Sequence, residues 1–160
     1  VRVGIYPGTF DPITNGHIDI IERSVILFDK IIVGVTTNPA KSPLFDINER
    51  IEMIKLSVNN MANVQVESFD DLLVSYARKK KATAIIRGLR AMSDFEFEFQ
   101  MALVNRKLSD KLVTVFLMPN EKYTYLNSTI VKEVASFQGD VSRFVPPEIN
   151  KKLIEKFKYK

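Results

Sequence analysis

The stretch from Tyr6 to Ile21, YPGTFDPITNGHIDII, contains His17, the only histidine among 160 residues. It follows two glycines and two prolines and sits where an apolar helical spacing begins. Glycine and proline let a backbone turn tightly and come close to a ligand. The first turn of a helix presents unpaired N–H groups and the positive end of the helix dipole, which favour an anion. An imidazole in that turn would point at the same anion, so the chemistry that this spacing favours is phosphate binding. The position also suits a helix-capping or surface histidine. Two arginines bracket a glycine in IIRGLR, where Arg87 and Arg90 could grip phosphate oxygens through guanidinium forks. Arginines at a strand end are also ordinary surface residues, and Lys41 in NPAKSPLF reads on its own more readily as a solvated loop lysine.

Elements must bring these residues together. Apolar, β-branched runs at 1–6, 30–37, 64–68, 83–88 and 112–118 predict five strands. Amphipathic segments lie between them. Ile18, Ile21, Val25 and Phe28 recur along one helix face, while Asp46 with Glu49 and Ser93 with Glu96 have capping-box spacing, each opening a further helix. Asp70 is expected to cap another helix over about 71–80. From Ser128 to Lys160 the pattern predicts two more helices, the second starting near VPPEI. This alternation predicts an α/β, doubly wound (Rossmann-like), five-stranded parallel sheet with helices on both faces and a C-terminal helical tail, residues 1–160 forming a single domain. Ligands of such sheets bind beyond the carboxyl ends of the strands. The loops carrying His17, Lys41 and Arg87 all fall there.

SDFEFEFQMALV needs its own decision, because Phe95, Phe97 and Phe99 alternate with glutamates as a half-buried strand would. The Ser93–Glu96 spacing and the helix formers Gln100 to Leu103 favour a helix. On it Phe95, Phe99 and Ala102 form one stripe, with Phe97, Met101 and Val104 roughly 200° away. One stripe is expected to meet the sheet and the other a second subunit.

Composition narrows the classes. With 46% hydrophobic residues the chain can bury a sizeable core, and with no cysteine it can form neither a disulfide nor a thiolate metal site. No apolar run approaches about 18 residues, so no membrane span is expected. A cytoplasmic protein is expected. The net charge of +4 tolerates anionic ligands of any kind. The basic run Arg78 to Lys81 reads as a charged helix end and not as a nucleic-acid patch.

GTFDPITNGH resembles the signature of the nucleotidylyltransferase superfamily, whose T/H-x-G-H motif falls on Thr14, Asn15, Gly16 and His17. Three further segments, LLVSYARKKKAT (72–83), IIRGLRAMSDFEFEFQMALVNRKL (85–108) and FLMPNEKYTYLNSTIVKEVASFQGDVSRFVP (116–146), resemble the bacterial phosphopantetheine adenylyltransferase family in order and spacing. The resemblance implies transfer of AMP from ATP to 4'-phosphopantetheine, yielding dephospho-coenzyme A and pyrophosphate. It also implies magnesium with ATP and a homohexamer, and it makes coenzyme A a candidate feedback ligand. By the same resemblance His17 stabilises the transition state at the α-phosphate, with Lys41 and Arg90 as further catalytic residues. Thr9, Lys41, Leu73 and Arg87 would hold the acceptor. ATP would meet Thr9, Phe10, His17, Gly88, Leu89, Arg90, Glu98 and a second element, Tyr123, Thr124, Tyr125, Leu126, Asn127, Ser128 and Thr129. That element resembles the superfamily's I-S-S-T-x-x-R motif, with Asn127 where serine is usual and Lys132 where arginine is common. Asparagine remains a good helix cap. Without the resemblance, NSTIVKE reads merely as a capped helix.

The implied nucleophile is a phosphate already ionised near neutral pH, so no general base is required. Positioning and charge neutralisation at the α-phosphorus remain. No full acidic cluster appears in these motifs, and magnesium is expected to arrive on ATP and not in a protein cage. Two rival readings differ in class: a nucleotidylyltransferase for another phosphate, such as a nicotinate mononucleotide or cytidylyl enzyme, and a noncatalytic nucleotide-binding module. The segments around Leu73 and IIRGLRAMSDFE weigh against the first, and His17 weighs against the second.

Overall fold

The computed structural model describes residues 1–37 and 42–158. Five strands, β1 (Val3–Gly8), β2 (Lys30–Thr36), β3 (Val64–Phe69), β4 (Ala84–Gly88) and β5 (Val113–Leu117), form one parallel sheet in the order β3-β2-β1-β4-β5. The connecting helices are α1 (Asn15–Leu27), α2 (Ile47–Ser57), α3 (Leu73–Lys79) and α4 (Met92–Leu108), followed by α5 (Ser128–Ser136) and α6 (Pro147–Lys158). β1 is central: the chain runs from it to β2 and β3 on one side, then crosses to β4 and β5 on the other. The switch point of the sheet therefore lies between β1 and β4, where open α/β sheets place their ligands.

Strand residues alternate between two cores, because successive side chains point to opposite faces. Tyr6, Ile31, Val33 and Ile86 join α1 (Ile20, Ile21), α2 (Met53, Ile54), α5 (Val131) and α6 (Ile149, Leu153). Val3, Ile5, Ile32 and Ile85 join Val74, Tyr76 and Ala77 of α3. Complete burial of a side chain such as Ile5 stabilises the fold by about 2 kcal/mol. The doubly wound fold and the helical tail match expectation, and α6 opens on Pro147, whose missing N–H costs nothing at a first helical position.

Local caps divide sharply. Asp46 accepts the Glu49 N–H at 2.8 Å and the Glu49 carboxylate returns a bond to the Asp46 N–H, as its spacing predicts. The Ser93–Glu96 box does not form: Ala91 is the N-cap of α4 and makes no side-chain cap bond. Asp70 likewise caps nothing, since α3 begins at Leu73 behind Leu72, again with no side-chain cap. In both places an ion pair takes the nearby carboxylate, Asp94 going to Arg90 and Asp71 to Lys79.

α4 also corrects the two-stripe expectation. The residues it buries are Glu98 and Asn105, while Phe95, Phe97, Phe99, Met101 and Val104 all stand exposed on the single chain. Neither aromatic stripe lies against the sheet. The covered face of α4 carries instead the Glu98 carboxylate, paired with Arg87 at the end of β4, while Phe97 and Met101 border a small cavity with Arg87 and Thr114 of the sheet.

Candidate active site

A cavity of about 460 Å³ opens over the carboxyl ends of β1 and β4 at the switch point. Its first wall is the loop after β1 and the start of α1. Thr14 is the N-cap of α1, its hydroxyl accepting from the His17 N–H at 3.4 Å, while His17 Nδ1 accepts the Thr14 N–H at 3.0 Å. His17 is therefore both the capping and the cavity-facing histidine. With Nδ1 engaged as acceptor, the ring proton resides on Nε2, a donor available to the cavity that His17 lines. Burial, with the positive charges of Arg90 and Arg87, lowers its pKa to about 4. At neutral pH the imidazole is an uncharged hydrogen-bond donor.

Phe10 fixes that ring from beside it, edge-on at 5.0 Å between centroids. Its backbone occupies the left-handed region (φ 50°), a conformation costly for a bulky residue and held here by complete burial of its ring. Gly8 makes room, since a Cβ there would lie 3.0 Å from the Phe10 ring. Two buried charges hold the loop from below. The Asp11 carboxylate accepts the Leu44 and Phe45 N–H groups, both at 2.9 Å, and pairs with Lys132 of α5 at 2.9 Å. The Arg50 guanidinium donates to the carbonyls of Thr9 (2.8 Å), Thr36 (3.1 Å) and Phe45 (3.1 Å). Burial lowers the pKa of Arg50, and the neighbouring Asp11 and Asp46 carboxylates work against that shift.

The second wall is built from ion pairs. Arg87 Nε and Nη2 donate to the two Glu98 oxygens at 2.8 and 2.6 Å, and Nη1 donates to the Pro7 carbonyl at 3.1 Å. Burial disfavours the charge on Arg87, but Glu98 more than offsets it and the guanidinium stays protonated. Of its five N–H donors, three are used and two remain for a ligand. Arg90 is held by Asp94 and donates to the Leu126 carbonyl at 3.0 Å. A smaller cavity of about 130 Å³ adjoins through Arg87 and Glu98, lined also by Leu73, Phe97, Met101 and the Asn105 amide.

The third wall is the start of α5. Asn127 is its N-cap, accepting the Ile130 N–H at 2.8 Å through Oδ1, so its amide N–H groups remain free to donate. Ser128 spends its hydroxyl proton on the Pro12 carbonyl at 2.7 Å, tying α5 to the first wall. Thr129 and the first N–H groups of α5 border the cavity, the arrangement that receives phosphate at a helix start.

Most of the expected residues thus converge: Thr9, Phe10, His17, Arg87, Gly88, Arg90 and Glu98 line the cavity, together with Tyr123, Leu126, Asn127, Ser128 and Thr129. Leu73 lines the adjoining one. Three expected residues lie outside the lining. Leu89 donates its N–H to the Leu117 carbonyl, Thr124 turns its hydroxyl to the Glu121 carbonyl, and Tyr125 packs edge-on against Phe144. Lys41 lies outside the described residues. Sequence reasoning missed Tyr6, Asp11 and Asp94 in the lining and Arg50 behind it. Asp11 carried a signal, a carboxylate amid turn formers, whereas Arg50 in NERIEM looks like any helix arginine.

Comparison with known proteins fits this geometry. A family model described as cytidylyltransferase-like matches residues 5–134. The chain is 59% identical over 158 residues to a phosphopantetheine adenylyltransferase of Caldanaerobacter subterraneus subsp. tengcongensis, covering 99% of each. It is 57% identical over 146 residues to the phosphopantetheine adenylyltransferase of Alkaliphilus metalliredigens, covering 91% of this chain and 93% of that one. Among solved structures, Plasmodium falciparum nicotinic acid mononucleotide adenylyltransferase complexed with NaAD superposes with a TM-score of 0.71 at 15% identity, over 98% of this chain and 95% of that one. That likeness speaks for the fold.

Proposed function

Because the chain belongs to the phosphopantetheine adenylyltransferase family, within the cytidylyltransferase-like proteins, we infer how its cavity performs that family's reaction. The protein is an adenylyltransferase that moves AMP from ATP to 4'-phosphopantetheine and forms dephospho-coenzyme A and pyrophosphate. The observation that carries the mechanistic reading is the meeting of a neutral His17 donor with two arginines and a helix start over one cavity.

In this reading an oxygen of the acceptor phosphate attacks the α-phosphorus of ATP in line, and the bond to the bridging oxygen of pyrophosphate breaks. No proton needs to be removed from the nucleophile. His17 Nε2 donates to an α-phosphate oxygen as charge gathers in the transition state. Arg90 and the start of α5, with Asn127 and Thr129, hold the β- and γ-phosphates, so the leaving group departs toward positive charge. Arg87 holds the acceptor phosphate through its two remaining donors, and the adjoining cavity suits the acceptor's chain: Leu73 and Met101 meet its methylenes and Asn105 its amides. Glu98 keeps Arg87 in place for the acceptor phosphate, and its expected contact with ATP stays part of the proposal. Lys41 retains its proposed contact with the transferring phosphate.

The cavity carboxylates Asp11, Asp94 and Glu98 are all engaged by cations or N–H groups, and no group of three metal-ligating side chains occurs among the described residues. We propose magnesium as part of the substrate MgATP, where it neutralises pyrophosphate charge. Coenzyme A contains the acceptor arm and an adenylate, and is proposed to compete at the same cavity. A cytoplasmic setting is proposed on the use of ATP and the cysteine-free sequence. A homohexamer is proposed with α4 as contact, supported by its exposed aromatic face. Phe97→Glu should lower the solution mass, and an unchanged mass would remove α4 from the interface. A pyrophosphate-release assay with ATP and 4'-phosphopantetheine tests the activity directly. Release with nicotinate mononucleotide but not with 4'-phosphopantetheine would refute it.

A further inference from the structure

Tyr6 is the cavity residue to which the mechanism so far gives no task. It lies near the carboxyl end of β1, on the face that packs against α1. Its ring is 6% exposed, edge-on to Phe10 at 5.3 Å and 6.4 Å from His17. Its hydroxyl makes no hydrogen bond to any described residue. Yet no sealed side-chain polar atom among the described residues lacks a partner, so the Tyr6 oxygen is not sealed. It opens into the cavity that Tyr6 lines.

A phenylalanine would fill the same space without a polar atom to satisfy. Open to the cavity and bonded to no described residue, the hydroxyl is left to meet a ligand's acceptor atom. The surroundings identify that acceptor. The hydroxyl lies 3.9 Å from where a Cβ on Gly88 would stand, next to Arg87 in the chain. Arg87 in turn bonds the carbonyl of Pro7, the residue after Tyr6. Arg87 and Arg90 are the cations that act on the Tyr6 hydroxyl, Arg87 the more strongly, and Glu98 is already claimed by Arg87. An anion seated against Arg87 is therefore the group within reach, and burial raises the Tyr6 pKa, which keeps the hydroxyl a donor.

We propose that Tyr6 Oη donates a hydrogen bond to the phosphate of the acceptor substrate beside Arg87, and so is a residue that determines selection of a phosphorylated acceptor. The proposal rests on the adenylyltransferase reading and adds a residue to it. A hydrogen bond to an ionised acceptor is stronger than one between neutral groups. It orients the nucleophilic phosphate without taking part in proton transfer.

Tyr6→Phe removes one oxygen and keeps the ring that Phe10 and His17 need. Its melting temperature should match that of the wild type, which verifies folding. kcat/KM for 4'-phosphopantetheine should fall about 10- to 100-fold, while the KM for ATP stays within about twofold. Unphosphorylated pantetheine, used as an inhibitor, has no group for Tyr6 to hold, so its inhibition constant should stay within about twofold. Wild-type kcat/KM in folded Tyr6→Phe would overturn the proposal, as would equal losses for 4'-phosphopantetheine and pantetheine or a loss confined to ATP. Wild-type protein that releases no pyrophosphate with 4'-phosphopantetheine would instead overturn the adenylyltransferase reading itself, and that assay is read first.

Discussion

Two kinds of wall border the cavity, the helix starts of α1 and α5 and the end of β4, and they solve the problem of binding phosphate in different ways. At the starts of α1 and α5 the donors are neutral: backbone N–H groups, the Asn127 amide and an uncharged imidazole whose tautomer is set by the Thr14 cap. At the end of β4 the donors are guanidiniums held by carboxylates, Arg87 by Glu98 and Arg90 by Asp94. The first wall needs no counterion and presents its dipoles ready-oriented, which suits charge that appears only in the transition state. The second carries full charge and must share it between a fixed carboxylate and an incoming phosphate, which suits ground-state binding. Division of labour between chemistry and capture follows from that difference.

The sharpest way to break this comparison is His17→Ala. If the helix-start wall acts on the transition state, kcat should fall about 10²- to 10³-fold, roughly 3–4 kcal/mol, with ATP affinity nearly unchanged. A purely capping histidine would instead cost about 1 kcal/mol of stability and preserve turnover per folded molecule. Steady-state kinetics beside a thermal melt separates the two. Next in size is Arg87→Ala on the other wall. Loss of a charged donor to phosphate should weaken use of 4'-phosphopantetheine about 10- to 100-fold and leave ATP binding close to wild type. Titration that found ATP affinity collapsing, with the acceptor bound normally, would reverse the assignment of the walls.

The smallest effect is a titration. As the only histidine, His17 can be followed by NMR without ambiguity. Its pKa in the free protein should be near 4, well below the ordinary 6.5, and should rise when ATP anions screen Arg90 and Arg87. The sign for stability follows: the unfolded chain takes up the proton first, so the contribution of His17 is complete above pH 6.5 and is lost as pH falls from there through about 4. A midpoint at 6.5 that ignores ATP would place the imidazole in solvent and remove it from the first wall.

Legibility differed between the two walls for a physical reason. The first is local: Thr14 and His17 are three residues apart, as are Asn127 and Ile130, so caps and helix starts can be read from adjacent letters. The second depends on partners far apart in the chain. Arg87 and Glu98 were each expected to touch a different substrate, yet they bond each other, and the phenylalanines that were expected to be half covered stand exposed on the single chain. The expected Ser93 and Asp70 caps failed because α4 begins one residue before Ser93 and α3 three residues after Asp70, and spacing alone does not fix where a helix starts.

Periodicity and turn chemistry in the sequence were enough to determine the strands, the order of helices and the loops that carry His17 and Arg87, because those signals act within a few residues. Only the tertiary structure decided that Asp11 would bind Lys132 across 121 residues, that Arg50 would join the carbonyls of Thr9 and Thr36, and that Tyr6 would keep an unpartnered hydroxyl in the cavity. A buried charge or phenol is defined by what surrounds it, and those surroundings come from strands and helices that meet only when the sheet has formed.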